Sequence, residues 1–233
     1  MLKRKLVLFD IDGTILLSQG AGRRAILTAI AAAVGDHTAF DRVRFDGKTD
    51  PQILMELFEA AGHPGPHPPE RIGELGTEYV RLLAEELSRP GHRTRVLPGV
   101  LPLLDHLEQD TGVLLGLVTG NFVEGAALKL RSAGIDPGRF LVGGYGTDSH
   151  DRSLLPPIAA RRAEPWFGRE PRGGEVVIIG DTPADVTCGR SIGARAVAVA
   201  TGSYAVEDLE RAGADAVFPD LSEMKLVLQA ILA

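Results

Sequence analysis

Lys5-Leu6-Val7-Leu8-Phe9-Asp10-Ile11-Asp12-Gly13-Thr14 is the stretch on which the reading of the chain turns. An unbroken apolar run ends in two aspartates and a glycine. The run is too short to span a membrane and too continuous for a half-exposed strand. It predicts a strand buried on both faces, as in a parallel sheet. In open α/β sheets, ligands bind just beyond the carboxyl ends of the strands, which is where Asp10 and Asp12 fall. Two carboxylates held together repel each other and lose hydration, and a structural turn needs only one. The pair therefore points to a bound cation or to proton transfer.

Working outward, the pattern after Thr14 becomes helical. Residues 20–34 are alanine-rich, with Ile26, Leu27, Ile30 and Val34 at helical spacing. A charged loop is expected from Asp36 to Lys48. Asp50-Pro51 reads as an N-cap followed by proline at the first helical position, with Ile53, Leu54, Leu57 and Phe58 as the apolar stripe. Residues 62–69 (Gly-His-Pro-Gly-Pro-His-Pro-Pro) break the chain. A third helix is expected from Pro69 to Leu87, and no strand between about 16 and 95.

From Pro98 on, strands and helices alternate. Strands are expected at Val113–Val118, Phe140–Gly143, Glu175–Ile179, Ala196–Ala200 and Ala216–Phe218. Helices are expected at Val100–Leu107, after Asn121 as far as Ser132, at Leu154–Glu164, after Asp181 to about Ile192, at Val206–Arg211 and at Met224–Leu232. This alternation predicts the α/β class, a doubly wound parallel sheet interrupted by an inserted all-helical domain. The expected division is an α/β core from residues 1–15 and 96–233, with residues 16–95 as a helical cap inserted after the first strand.

Composition narrows the function. The 233 residues carry a formal net charge of -6, which argues against nucleic acid as a main partner. One cysteine allows no internal disulfide and fits a reducing, cytoplasmic setting. No segment has signal-peptide form or transmembrane length.

The expected strand ends bring chemistry together. The first ends in Asp10 and Asp12, the second in Thr119, and the third in Asp181 with Asp185 four residues on. Parallel strands place these on one edge of the sheet, gathering four carboxylates and a hydroxyl. That density of negative charge calls for a cation, and the all-oxygen donor set favours Mg²⁺ over Zn²⁺. Gly120 and the start of the next helix offer backbone N–H groups to an anion.

Asp10-Ile-Asp-Gly-Thr, Thr119 after an apolar strand, and Gly180-Asp-Thr-Pro-Ala-Asp185 resemble motifs one, two and four of the haloacid dehalogenase-like hydrolase superfamily. The insert between motifs one and two resembles the helical cap of the subfamily that includes phosphoglycolate phosphatases and β-phosphoglucomutases. The resemblance implies an Mg²⁺-dependent phosphatase acting on a small phosphorylated metabolite; neither nucleic acid nor membrane is expected as a partner, on the net charge and the lack of a long apolar stretch. It implies Asp10 as nucleophile and Asp12 as general acid and base. It implies Mg²⁺ held by the Asp10 carboxylate, the Asp12 carbonyl and Asp181, with Asp185 behind them. Thr119 and the Gly120 N–H would bind the phosphoryl group. The family's motif-three lysine has no counterpart, because no lysine occurs between Lys129 and Lys225. Lys129 lies in the helix after motif two, too early in the chain to serve. Arg152 is the nearest cation in the right stretch, and its guanidinium suits phosphate oxygens.

Other residues have two readings. Lys48 is either a cap contact to an anionic substrate group or a solvated loop lysine, and Arg23 and Arg24 share that ambiguity. His63 and His67 read as loop histidines, Cys188 as a small buried residue, and Trp166 as packing at a helix end. Beside the phosphatase stand a sugar phosphomutase using the same residues, and a low-activity or non-catalytic binding protein of the same fold. A 2-haloacid dehalogenase is disfavoured, because it needs neither Asp12 nor Mg²⁺.

Overall fold

The computed structural model describes residues 3–35 and 38–233, so Met1, Leu2 and the first two residues of the loop expected from Asp36 lie outside the described ones. The chain begins with β1 (Lys5–Phe9), followed by the two-residue β2 (Leu16–Leu17), then α1 (Ala21–Val34), α2 (Asp50–Ala60) and α3 (Pro69–Leu87). The chain returns through β3 (Arg95–Val96) to α4 (Val100–Gln109), β4 (Val113–Thr119), α5 (Val123–Ser132), β5 (Val142–Tyr145) and α6 (Leu155–Phe167). The series closes with β6 (Val176–Gly180), α7 (Pro183–Cys188), β7 (Arg195–Val199), α8 (Val206–Ala212), β8 (Ala216–Phe218) and α9 (Met224–Leu232).

Among the described residues the main sheet runs in the order β5-β4-β1-β6-β7-β8, and every pairing is parallel. The quoted stretch is its centre: Phe9 pairs with Leu117 on one side and Ile179 on the other. Alternate residues of β1 face opposite layers. Val7 and Phe9 meet α4, α5 and α9 through Leu104, Leu130 and Ile231, while Leu6 and Leu8 meet α6 through Leu155 and Ala159. That is why the run had to be apolar throughout. Because β1 has strands leaving in opposite chain directions on its two sides, the crevice at its carboxyl end is where side chains can converge.

α1, α2 and α3 enclose an apolar cluster of their own, with Ile26, Ile30, Leu54, Phe58, Tyr79 and Leu83 buried together. Phe122, between β4 and α5, joins this cluster and meets Tyr79 with ring centroids 6.1 Å apart.

Several local expectations need correction. The stretch from 16 to 95 does contain strand at its two ends. Leu16 and Leu17 pair antiparallel with Val96 and Arg95, a ribbon too short for any periodicity to reveal. The cap of α2 is Thr49, whose Oγ1 accepts from the Gln52 N–H at 3.2 Å; Asp50 is the first helical residue and points its carboxylate elsewhere. β5 starts at Val142, since Phe140 closes a 3₁₀ turn and packs edge-on against Phe9 at 6.3 Å. α6 continues through Pro165 to Phe167 and ends on left-handed Gly168. α7 stops at Cys188, followed by a separate 3₁₀ turn at Arg190–Ile192. Among the described residues no helix is long and apolar enough to cross a membrane.

Candidate active site

The carboxyl ends of β1, β4 and β6 meet at a cavity of about 500 Å³, whose lining includes Asp10, Asp12, Thr119, Gly120, Arg152 and Asp181. Each is fixed by local chemistry. Asp10 continues the β1 ladder, its N–H donating to the Ile179 carbonyl at 2.9 Å. Gly13 then turns the chain at φ 85°, in the left-handed region that favours glycine. The turn lays Gly13 against Asp181, where any Cβ on Gly13 or Gly202 would overlap the carboxylate. The Thr14 hydroxyl donates to Asp181 Oδ1 at 3.1 Å.

α7 opens with a reciprocal cap. The Asp185 N–H donates to Thr182 Oγ1 at 3.2 Å, while Asp185 Oδ2 accepts from the Thr182 N–H at 3.0 Å. This bends Asp185 back into the site. Carboxylate oxygens of Asp10, Asp181 and Asp185 all lie within 4.8 Å of one another, and all three residues are buried.

Arg152 enters this cluster from a 3₁₀ turn after β5. Its Nη2 donates to Asp10 Oδ1 at 3.0 Å and also to Asp185 Oδ1. Burial disfavours its charge, but Asp185 and Asp10 hold it protonated. Asp10 itself is raised to about 7, mainly by burial; Arg152 opposes that rise, and Asp185 and Asp12 add to it. Burial, then Asp185 and Asp10, push Asp181 well above the carboxylate range. One guanidinium thus leaves the three acids short of positive charge. A hard, oxygen-seeking cation fits that deficit, and the glycine cradle around Asp181 leaves room at its carboxylate.

Asp12 stands apart from this cluster. Its Oδ2 accepts from Asn121 Nδ2 at 2.9 Å and from Lys129 Nζ at 2.6 Å. Lys129, read as too early in the chain to serve as the motif-three lysine, is paired with Asp12 and not with Asp10, yet it does reach the site. α5 carries it back over the end of β4, and it lines the cavity. Burial works against its charge, yet Asp12 and Asp50 raise it above the ordinary lysine value. Sequence reasoning also missed Asn121 and Asp50. Asp50 Oδ2 accepts from the Phe122 N–H at 2.9 Å, and burial, the largest of several causes, raises the carboxyl to about 6. No spacing along the chain signals that Lys129 meets Asn121, because Asn121 lies before α5 and outside its helical repeat.

Lys48 lines the cavity, but its ammonium is engaged by Glu56. Arg23 also lines it, with its guanidinium 4.5 Å from the centre of the Phe45 ring, whereas Arg24 is held by Glu86 at 2.6 Å. His67 stacks on Phe58 at 4.5 Å; His63 is exposed, Cys188 buried and Trp166 packed beside the α6 cluster.

Comparison with known proteins agrees with this geometry. Residues 156–224 match the HAD-hydrolase-like family model. The phosphoglycolate phosphatase of Rhodospirillum rubrum is 28% identical over 224 residues, covering 94% of this chain and 89% of that protein. Among solved structures, a hydrolase from Pseudomonas syringae superposes with a TM-score of 0.72 at 23% identity, over 98% of this chain and 99% of that one. CbbY from Rhodobacter sphaeroides, in complex with phosphate, superposes with a TM-score of 0.70 at 18% identity, over 96% of each chain. Motifs, fold and family-model match agree in their likeness to the haloacid dehalogenase-like hydrolases. The chain is similar to the Rhodospirillum rubrum phosphoglycolate phosphatase and shares the fold of CbbY.

Proposed function

We propose that the chain is a phosphoric monoester hydrolase, an Mg²⁺-dependent phosphatase that cleaves a small phosphorylated metabolite through an aspartyl-phosphate on Asp10. The observation that carries this reading is the buried Asp10–Asp181–Asp185 cluster, with Arg152 between Asp10 and Asp185 at the floor of the cavity. Phosphomonoester hydrolysis is among the slowest reactions in water, with enzymatic accelerations reaching roughly 10²¹-fold. It demands positioning and charge neutralisation together, and this arrangement is suited to both.

In this reading Asp10 attacks phosphorus, and the bond from phosphorus to the ester oxygen breaks. Asp12 gives the leaving oxygen its proton. Water then attacks the aspartyl-phosphate, Asp12 takes a proton from it, and the Asp10 carboxylate is restored with inorganic phosphate released. Thr119, the Gly120 N–H and Arg152 hold the phosphoryl oxygens. Asp10, Asp181 and the Asp12 carbonyl would hold the metal ion, which neutralises charge on the phosphoryl oxygens when bound; Asp185 steadies Arg152 beside it.

Residues 1–15 and 96–233 serve as catalytic core and residues 16–95 as a helical cap. Three observations support the division: the separate apolar cluster of α1–α3, the β2–β3 ribbon where the chain leaves and returns, and a short polar seam. In that seam the Asp50 N–H donates to the Gly120 carbonyl at 2.7 Å and Thr49 Oγ1 to the His150 carbonyl at 2.8 Å. Lys48, next in this strap, is a candidate contact for the rest of the substrate. The single cysteine, which allows no internal disulfide, fits a cytoplasmic enzyme.

The test is turnover of an aryl phosphate and a panel of small alkyl phosphates with Mg²⁺ present, for wild type and Asp10→Asn, with products identified. Release of inorganic phosphate by wild type alone is expected. Turnover no greater than Asp10→Asn across the panel would overturn the reading, and transfer of phosphate to a sugar hydroxyl would make the chain a mutase.

A further inference from the structure

Lys129 is the one buried lysine among the described residues, and the motifs that define the site leave it unexplained. Its side chain is 5% exposed, whereas the Asp12 carboxylate it pairs with is 42% exposed. Burying an ammonium is unfavourable unless every proton finds an acceptor or a charge. Here Nζ bonds Asp12 Oδ2 at 2.6 Å and Asn121 Oδ1 at 2.5 Å, and the Asp50 carboxylate adds attraction from the α2 side. The end of the Lys129 side chain lies beside Gly22 of α1 and near the Tyr79 hydroxyl of α3. A Cβ on Gly22 would come 3.3 Å from Nζ and 3.6 Å from the Tyr79 hydroxyl, so a side chain at position 22 would crowd the ammonium.

The two bonds to Asp12 fall on the same oxygen. Asn121 Nδ2 and Lys129 Nζ both reach Oδ2, and Asn121 is itself pinned by donating to Thr119 Oγ1 at 2.7 Å. No described side chain is bonded to Asp12 Oδ1, and the residue lines the cavity. A carboxylate fixed through one oxygen has its plane and its second oxygen set by that grip. Resting on the phosphatase reading above, we infer that Lys129 is a positioning residue. With Asn121 it clamps Asp12 by Oδ2, so that Oδ1 presents toward the leaving oxygen of a bound phosphomonoester. Lys129 then acts through Asp12, without touching the phosphoryl group.

A residue that only orients the proton donor matters in proportion to how much the leaving oxygen needs a proton. An alkoxide leaving group needs it; p-nitrophenolate, stable as an anion, scarcely does. Lys129→Gln should therefore lower kcat/KM on an alkyl phosphate such as 2-phosphoglycolate by at least tenfold more than on p-nitrophenyl phosphate. Inhibition by inorganic phosphate should stay within about twofold of wild type, because phosphoryl binding is untouched. Asn121→Ser, which removes the second grip on Oδ2 and keeps the lysine, should shift the same ratio in the same direction. It decides the matter if Lys129→Gln does not fold. Equal losses on the two substrates, or weakened phosphate inhibition in parallel with activity, would overturn the inference while leaving the phosphatase reading intact. Absence of wild-type turnover on both substrates would overturn the two together.

Discussion

Arg152 Nη2 stands 3.0 Å from Asp10 Oδ1, with the same nitrogen also bonded to Asp185. A guanidinium therefore occupies the place at the first aspartate where the sequence offers no lysine. Both partners are buried, with side chains 9% and 8% exposed, so the pair is not weakened by solvent as a surface ion pair would be.

Arg152→Ala should accordingly destabilise the fold as well as the chemistry. Removing one partner of a buried charge pair costs about 3–5 kcal/mol, and losing a donor aimed at developing charge lowers kcat by roughly 10²–10³. Arg152→Lys should recover stability more than activity, since it restores the charge but not the planar guanidinium that suits phosphate oxygens. Urea unfolding and steady-state kinetics on the two variants check both halves. Full kcat/KM in Arg152→Ala would remove Arg152 from the site.

Mg²⁺ should stabilise the folded chain. Three buried carboxylates share one guanidinium, and a cation that binds only the folded form shifts unfolding by about 2.7 kcal/mol at a hundred times its Kd. For a domain of this size that corresponds to a rise in Tm of roughly 5–10 °C. The rise should disappear with EDTA and in Asp181→Asn. Calorimetric scans with and without Mg²⁺ read it directly; an unchanged Tm at saturating Mg²⁺ would argue against the site.

Asp50 gives the pH dependence a definite sign. Its folded-state value is raised from 3.8 to about 6, so the folded chain holds this proton more tightly than the unfolded chain. Stability from this group is present below about pH 4 and is lost as pH rises through about 6, amounting to roughly 3 kcal/mol at about 1.4 kcal/mol per pH unit. Asp50→Asn keeps an acceptor for the Phe122 N–H but carries no charge. Its stability relative to wild type should therefore improve between pH 4 and pH 7, then level off. Unfolding curves at pH 4.5, 6 and 7.5 measure it, and a difference independent of pH would contradict the assignment.

Gly120→Ala should pry the strap at 48–50 away from the end of β4. A Cβ there would overlap the Lys48 carbonyl oxygen and crowd Thr49, displacing the bond from the Asp50 N–H to the Gly120 carbonyl. Overpacking of this kind typically destabilises by about 1–3 kcal/mol. KM should rise together with the loss of stability, measured by substrate titration and thermal melts; an unchanged KM would show that the strap contributes nothing to binding.

Much of this molecule is legible along the chain. β1 could be read because a strand buried on both faces must be apolar at every position, and its abrupt end in Asp10 and Asp12 marks the edge where ligands collect. α3 was legible to the residue, since a 19-residue amphipathic helix repeats its pattern often enough to be unmistakable. The β2–β3 ribbon was not. Two residues carry no period, and their pairing depends on ends eighty positions apart being brought together.

The division of labour among charges was decided elsewhere. Sequence alone determined the acids, their order and the strand ends that carry them, because hydrophobic pattern and turn residues are local properties. Only the tertiary structure decided which cation meets which acid: Arg152 at Asp10 and Asp185, and Lys129 at Asp12. Those pairings span 142, 33 and 117 positions of chain. The physical reason is that a buried charge is paired by whatever the fold brings within hydrogen-bond reach, and separation along the chain has no bearing on that distance. A lysine that looks too early in the sequence can thus stand in the site, because the turn of α5 returns it over the end of β4.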